Sequence, residues 1–219
     1  MRLLLISSTI VHGYGYLDHD EDNIRRILGD RKRVAVIPFA QPDLDAATAR
    51  IAERFARLGC TLSDLQNAEA IFTSGGNTFR LLKALYDRDL LDPIRDAVRN
   101  RGVVYIGTSA GTNITAPTIK TTNDMPIVYP PSFDALGFVP FQINPHYLDP
   151  DPNSTHKGET REERLREYLI ENEPPVVALR EGSTLLVEDG TVTLLGTQTA
   201  RVFRRGAEPE ERAPGPLAI

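Results

Sequence analysis

Apolar residues along the first half of the chain follow two interleaved rhythms. Short apolar runs, rich in branched residues, occur at Arg2–Ser7, Arg33–Phe39 and Glu69–Thr73, and again from Val103 into Gly107, and Thr61–Leu65 reads as a further short strand. Between them, apolar residues return every three or four positions: Ile24, Ile27 and Leu28 within Asp18–Leu28, then Ala47, Ile51, Phe55 and Leu58 within Leu44–Leu58. Thr78–Leu85 and Pro93–Arg99 read the same way. The first rhythm predicts buried strands and the second amphipathic helices. Their alternation predicts an α/β fold with a mostly parallel, doubly wound sheet covered on both faces.

The pattern loosens after Asn113. Thr115–Pro145 is rich in Pro, Thr and Asn and predicts irregular structure with short strands above the sheet edge. Glu162–Ile170 predicts a charged helix, Val176–Leu179 a strand, and Ala200–Arg204 a last strand. Thr184–Leu195 predicts a hairpin turning at Asp189-Gly190. Residues 1–207 are expected to form a single domain. Residues 208–219, dense in charges and prolines, are expected to be a mobile tail.

Composition narrows the function classes. With 219 residues, 41% hydrophobic and 25% charged, the chain suits a soluble globular protein with a sizeable core. A net charge of −5 supplies no basic face for nucleic acid or a membrane surface, so an anionic substrate needs a local cation. The one cysteine, Cys60, excludes an internal disulfide, argues against a cysteine metal site and reads as a small buried residue. The N-terminal apolar run, Leu3 to Ile6, is too short for a signal peptide or a span, and a cytoplasmic location is expected.

Candidate chemistry centres on Gly107-Thr108-Ser109-Ala110-Gly111, a G-x-S-x-G at a predicted strand end. A serine hydroxyl must project from a tight turn to reach both a base and a carbonyl, and small neighbours let the backbone turn there. Four histidines could serve as base. His12 and His19 lie in and just after the first loop. His146 follows an apolar run that can hold its backbone, and so ranks above His156, which sits in a polar stretch. An acid must orient the imidazole. Glu181, before Gly182, and Asp124 both qualify, and the residues alone leave the choice open. An oxyanion hole needs two N–H groups aimed at one point. Ala110 and Gly76, the latter in Ser74-Gly75-Gly76-Asn77, are candidates on the same sheet edge, where ligands gather in such folds.

Several longer segments carry a resemblance. Ile37–Ala40, Gly75–Phe79, Ile106–Gly111, Thr121–Val128, Gln142–His146 and His156–Glu162 closely resemble the peptidase E family, serine peptidases acting as α-aspartyl dipeptidases on a class I glutamine-amidotransferase-like fold. The resemblance runs from near the N-terminus to about Glu181. It implies Ser109 as nucleophile, His146 as base and Glu181 as acid, with Asp124 a further site residue and Gly76 and Ala110 at the oxyanion hole. It also implies Arg161, Asn77 and Glu159 as substrate contacts, the Arg161 guanidinium gripping the aspartyl carboxylate. The free α-amino group of the substrate would suit Glu159 or Asp124. The order Ser, His, Glu differs from that of α/β-hydrolases and implies a flavodoxin-like sheet. The implied activity is hydrolysis after an N-terminal aspartate in dipeptides and short peptides through an acyl-enzyme, by a homodimer without metal or cofactor. One residue departs from the pattern. The family usually has tryptophan before the serine, and this chain has Thr108 and no tryptophan. A threonine there resembles the cyanophycinases, so substrate range stays open. A non-catalytic binding module on the same scaffold is the remaining alternative.

Overall fold

The computed structural model describes residues 1–153, 155 and 158–219. His156, ranked second as base, lies outside the described residues. The first half alternates as the periodicity predicts: β1 (Arg2–Ile6), α1 (Glu21–Leu28), β2 (Arg33–Ile37), α2 (Leu44–Arg57), β3 (Thr61–Leu62), β4 (Ala70–Thr73), α3 (Thr78–Asp87), α4 (Leu91–Arg99), β5 (Val104–Thr108) and α5 (Ala110–Asn113). The second half holds β6 (Gln142–Asn144), α6 (Arg161–Glu171), β7 (Val176–Leu179), β8 (Ser183–Glu188), β9 (Thr191–Gly196), β10 (Ala200–Phe203), β11 (Glu210–Arg212) and β12 (Gly215–Pro216).

An eight-stranded sheet has the order β12-β9-β8-β1-β5-β4-β2-β3. The five strands β1 to β5 within it run parallel, and β8 joins antiparallel to β1. Alternate residues serve opposite faces, as strand geometry demands. Leu3, Leu5, Ile71 and Tyr105 pack with Leu81, Leu82 and Ile94 of α3 and α4. Leu4, Ile6, Phe72 and Ile106 pack with Ile24 and Ile27 of α1 and Ile51 and Phe55 of α2. Burying each such side chain stabilises by about 1.5–3 kcal/mol, which is why β1 is apolar without alternation. At the hairpin, Asp189 (φ 49°) and Gly190 (φ 85°) supply the two positive angles of a type I′ turn.

Two features differ from expectation. A second sheet, β11-β10-β7-β6, stands beside the first. Its Val177, Leu179 and Val202 join the main core, while Val176, Ala178 and Phe203 pack against Leu165 and Leu169 of α6. The segment after Glu208 is also not a loose tail. There β11 pairs with β10 and β12 with β9, Leu217 is buried, and Arg180 grips Glu211 at 2.5 Å. Strands of two or three residues leave no periodic trace in a sequence, and ion pairing explains why a charge-dense segment can lie ordered. Arg54 of α2 is likewise buried. It pairs with Glu21 at 2.7 Å and donates to the Leu17 carbonyl at 3.2 Å, tying the first loop down. Among the described residues no helix is long and apolar enough to cross a membrane.

The carboxyl edge of the parallel strands is packed backbone on backbone. A Cβ on Gly111 would collide with the Thr73 carbonyl oxygen, and one on Gly107 with the Gly111 carbonyl oxygen. Gly111→Ala is therefore expected to lower stability by about 3 kcal/mol or to prevent folding. Gly102→Ala, where only a left-handed φ of 71° and no neighbour opposes the methyl, should cost about 1 kcal/mol. Urea denaturation of the two variants measures the contrast.

Candidate active site

Ser109 caps β5 and precedes α5 with φ 52° and ψ −110°, a conformation that costs a non-glycine residue about 1–3 kcal/mol. The turn is held by its own backbone. Ser109 N–H donates to the Ile6 carbonyl at 3.0 Å, and the N–H groups of Thr112 and Asn113 donate to the Ser109 carbonyl at 2.9 Å. Thr112 Oγ1 adds bonds to Ile6 and Gly107 carbonyls at 2.7 and 2.9 Å. Gly75, at the end of β4, lies so close that a Cβ there would come 2.9 Å from the Ser109 Cβ. Gly76 has φ 137°, and a side chain on it would run into the Ala40 carbonyl. Among the described residues no hydrogen bond uses the N–H of Gly76 or of Ala110.

His146 also has a positive φ, 54°. Its backbone is clamped from two sides. The N–H donates at 3.0 Å to the hydroxyl of Ser7, just past β1, and that hydroxyl donates to the Leu179 carbonyl at 2.9 Å. Asn123 donates to the carbonyl of Pro145 at 2.7 Å, and Asn144 donates to Asn123 at 2.9 Å. So clamped, the imidazole reaches Ser109 Oγ with Nε2 at 2.9 Å and Glu181 Oε1 with Nδ1 at 2.9 Å. The Glu181 side chain is 51% exposed and that of His146 38%. The other described histidines make no hydrogen bond to this line. His12 is exposed, and His19 packs edge-on against Tyr14, where burial pushes its pKa down.

Asp124, the other candidate for the orienting acid, bonds elsewhere. Its Oδ2 accepts from both N–H and Oγ1 of Thr78 at 2.7 Å, over the start of α3. Asn77, expected to touch substrate, is the N-cap of α3: its Oδ1 accepts from Arg80 N–H at 3.0 Å and its Nδ2 donates to the Met125 carbonyl at 2.9 Å. A shallow recess beside Ser109, with a volume of only about 20 Å³, is lined by Thr78, Asn113, Thr122, Asp124 and His146, among others. Arg161, the first residue of α6, lines a neighbouring recess with Asp149, Glu159 and Arg164. Glu159 is drawn to Arg164 at 3.4 Å. Among the described residues Arg161 pairs with no carboxylate. Burial pushes its pKa down, Arg164 acts in the same direction, and Asp124 opposes them. Thr108, the departure beside the serine, lies wholly buried in the row of Ile6 and Ile106, outside the recess. Among the described residues no three carboxylate, imidazole or thiol groups converge as a metal site would need.

A serine, histidine and glutamate in a single hydrogen-bonded line invite comparison with known hydrolases. The model of peptidase family S51 matches residues 3–195. The chain belongs to peptidase family S51. Peptidase E of Streptomyces coelicolor is 53% identical over 98% of this chain and 92% of its own length. A Drosophila melanogaster protein named "Probable alpha-aspartyl dipeptidase" is 46% identical over 97% of this chain and 94% of its own length. In fold, the S51 chain is similar to a peptidase from an acI-B1 actinobacterium, with a TM-score of 0.70 at 15% identity over 100% of this chain and 96% of that one. The S51 membership and the mostly parallel sheet agree with the family and fold expected from the sequence.

Sequence reasoning missed Ser7, Asn123 and Asn144. Their only signal was position: Ser7 follows a strand end, Asn144 is two residues before His146, and Asn123 adjoins Asp124. The Asn77 finding yields a measurable outcome. Asn77→Ala should cost about 1 kcal/mol of stability as a lost cap. Asn77→Asp should restore most of it, as thermal melts of the three proteins would show.

Proposed function

We propose that this chain is a serine-type dipeptidase that releases an N-terminal aspartate from Asp-X dipeptides. The reading is carried by the line Ser109–His146–Glu181 in a member of peptidase family S51. The names of its relatives, Peptidase E and alpha-aspartyl dipeptidase, support the substrate class.

In this reading His146 Nε2 takes the proton from Ser109 Oγ as the oxygen attacks the aspartyl carbonyl. The N–H groups of Gly76 and Ala110 receive the developing oxyanion. His146 then protonates the leaving amine, and a water activated by the same imidazole releases aspartate from the acyl-enzyme. Glu181 accepts the Nδ1 proton in a hydrogen bond and keeps the tautomer that presents a lone pair to the serine. Arg161 takes the aspartyl β-carboxylate. Its guanidinium is partly buried and lacks an acidic partner among the described residues, which leaves its two-pronged face open to a carboxylate. The cyanophycinase-like alternative gains nothing from Thr108, which faces away from the recess, and three residues in bonding register disfavour a non-catalytic module. The homodimer and the cytoplasmic location expected from the resemblance belong to the same proposal, and light scattering tests the first.

Ser109→Ala is expected to abolish hydrolysis of Asp-Leu, and retained turnover would refute the nucleophile. Glu181→Gln should lower kcat by roughly 10²–10⁴ with folding intact. A panel of Asp-Leu, Asn-Leu and Glu-Leu tests Arg161. The parent should prefer Asp-Leu, and Arg161→Met should lose that preference by about 10²-fold in kcat/KM.

A further inference from the structure

Glu181 has little of its own to hold it. Its side chain is 51% exposed, and among the described residues its carboxylate bonds to His146 alone. The placement of that carboxylate therefore falls to the backbone that carries it, and the neighbouring Arg180 fixes this backbone. Arg180 is the first residue past β7, and its side chain is 16% exposed. Nε and Nη2 form a two-pronged bond to Asp149, both at 2.7 Å. Nη1 donates to the Thr199 carbonyl at 3.0 Å and to Glu211 of β11 at 2.5 Å. The guanidinium also lies over the Tyr147 ring, 5.6 Å from its centre. Tyr147 follows His146, and its N–H donates at 2.9 Å to the carbonyl of Leu179, which precedes Arg180. A single cation thus joins the chain just after His146, the chain just before Glu181 and the C-terminal strand β11. A guanidinium suits this task, since its rigid fork of donors holds carboxylates at a set angle.

We infer that Arg180 is a positioning residue for the reaction, holding Glu181 in bonding register with His146 through its grip on Asp149, Tyr147 and Glu211. The inference rests on the reading of Ser109, His146 and Glu181 as the catalytic line, and it gives β11 a part in that line from outside the site. The bond from Nδ1 to Oε1 joins segments 35 residues apart. Arg180 adjoins one partner of that bond, and its contacts Tyr147 and Asp149 lie one and three residues past the other. A shift of about 1 Å in either segment is enough to break the bond and to release the imidazole to its other tautomer. The charges show what drives such a shift. The bond to Arg180 holds the Asp149 carboxyl below the usual carboxylate range, so it stays ionised. Asp149 is also close enough to Glu211 to act on its charge. Without the guanidinium the two carboxylates repel each other, and the segment that carries His146 is pushed away from β7.

Arg180→Met keeps the apolar stem and removes the fork. It should lower kcat for Asp-Leu about 10²-fold in the parent but less than about threefold in a Glu181→Ala background, where the group it positions is already gone. Equal losses in the two backgrounds mark a purely structural residue and overturn the inference. Arg204→Met, which breaks the neighbouring ion pair to Glu210, should leave kcat within about twofold of the parent. A loss there as large as that of Arg180→Met also overturns it. Nitrogen NMR on ring-labelled histidine reads the same register without turnover. With the ring neutral, the ratio of the Nδ1–H to the Nε2–H form of His146 should fall about tenfold from the parent to Arg180→Met, the value of one charged hydrogen bond, and an unchanged ratio overturns the inference. Should Arg180→Met fail to fold, Glu211→Gln removes one end of the clamp and keeps an acceptor for Thr199. It should lower kcat about fivefold and move the tautomer ratio in the same direction, and no change in either overturns the inference. If the parent hydrolyses no Asp dipeptide, the dipeptidase reading falls instead, and the tautomer comparison still decides the role of Arg180.

Discussion

The site depends on backbones touching where side chains would ordinarily stand. Gly111 of α5 lies on the Thr73 carbonyl, Gly107 on the Gly111 carbonyl, Gly75 against Ser109, and Gly76 on the Ala40 carbonyl. These contacts draw the ends of β2, β4 and β5 into one small area. They also hold Ser109 at a positive φ, against its own steric preference, because the neighbouring strands leave the turn no other path. The open N–H groups of Ala110 and Gly76 are by-products of the same packing. A donor that turns away from its own ladder at a strand end is free to serve a ligand.

His146 and Glu181 are held by a different device. His146 reaches Ser109 from irregular chain, and that chain is pinned by side chains donating to carbonyls. Ser7 links it to β7, and the Asn123–Asn144 pair supports Pro145. Glu181 sits half in solvent, where charge is screened. Its contribution in the proposed mechanism is therefore mainly orientation, which a hydrogen bond at 2.9 Å can supply even beside water. Arg161 and Asp124 invert that arrangement. Each stands at the edge of a recess with bonding capacity left over, Asp124 beyond the two bonds it accepts from Thr78.

How much was readable in advance follows from how local each signal is. The strands and helices of the first half were legible, since every residue from Leu3 to Ile6 is buried and α2 buries one face at helical spacing. Ser109 was legible because each glycine around it answers a steric need that the motif spells out. The choice of Glu181 over Asp124 as partner of His146 was not legible from residue type. It depends on a contact between segments 35 residues apart, and Asp124 turns out to cap α3. The N-cap role of Asn77 was hidden for the same reason, since an N-cap and a ligand contact use the same side chain. The second sheet escaped because β6 and β11 have three residues each. Arg54 escaped because its charge reads as a helix surface, while in the fold Glu21 neutralises it in the interior.

The place of β1 in the large sheet carries a consequence for synthesis. This strand, made before either of its sheet neighbours, lies in the middle, between β5 and β8. One partner begins about a hundred residues later and the other at Ser183. Leu3 to Ile6, fully buried in the finished molecule, thus leave the ribosome long before anything exists to cover both of their edges. At translation speeds of about 5–20 residues per second the wait is on the order of ten seconds or more. For that interval the nascent chain presents an unpaired apolar strand, a natural target for chaperones and for unwanted strand pairing. The charged helix α1, which immediately follows, is the first element able to shield one of its faces.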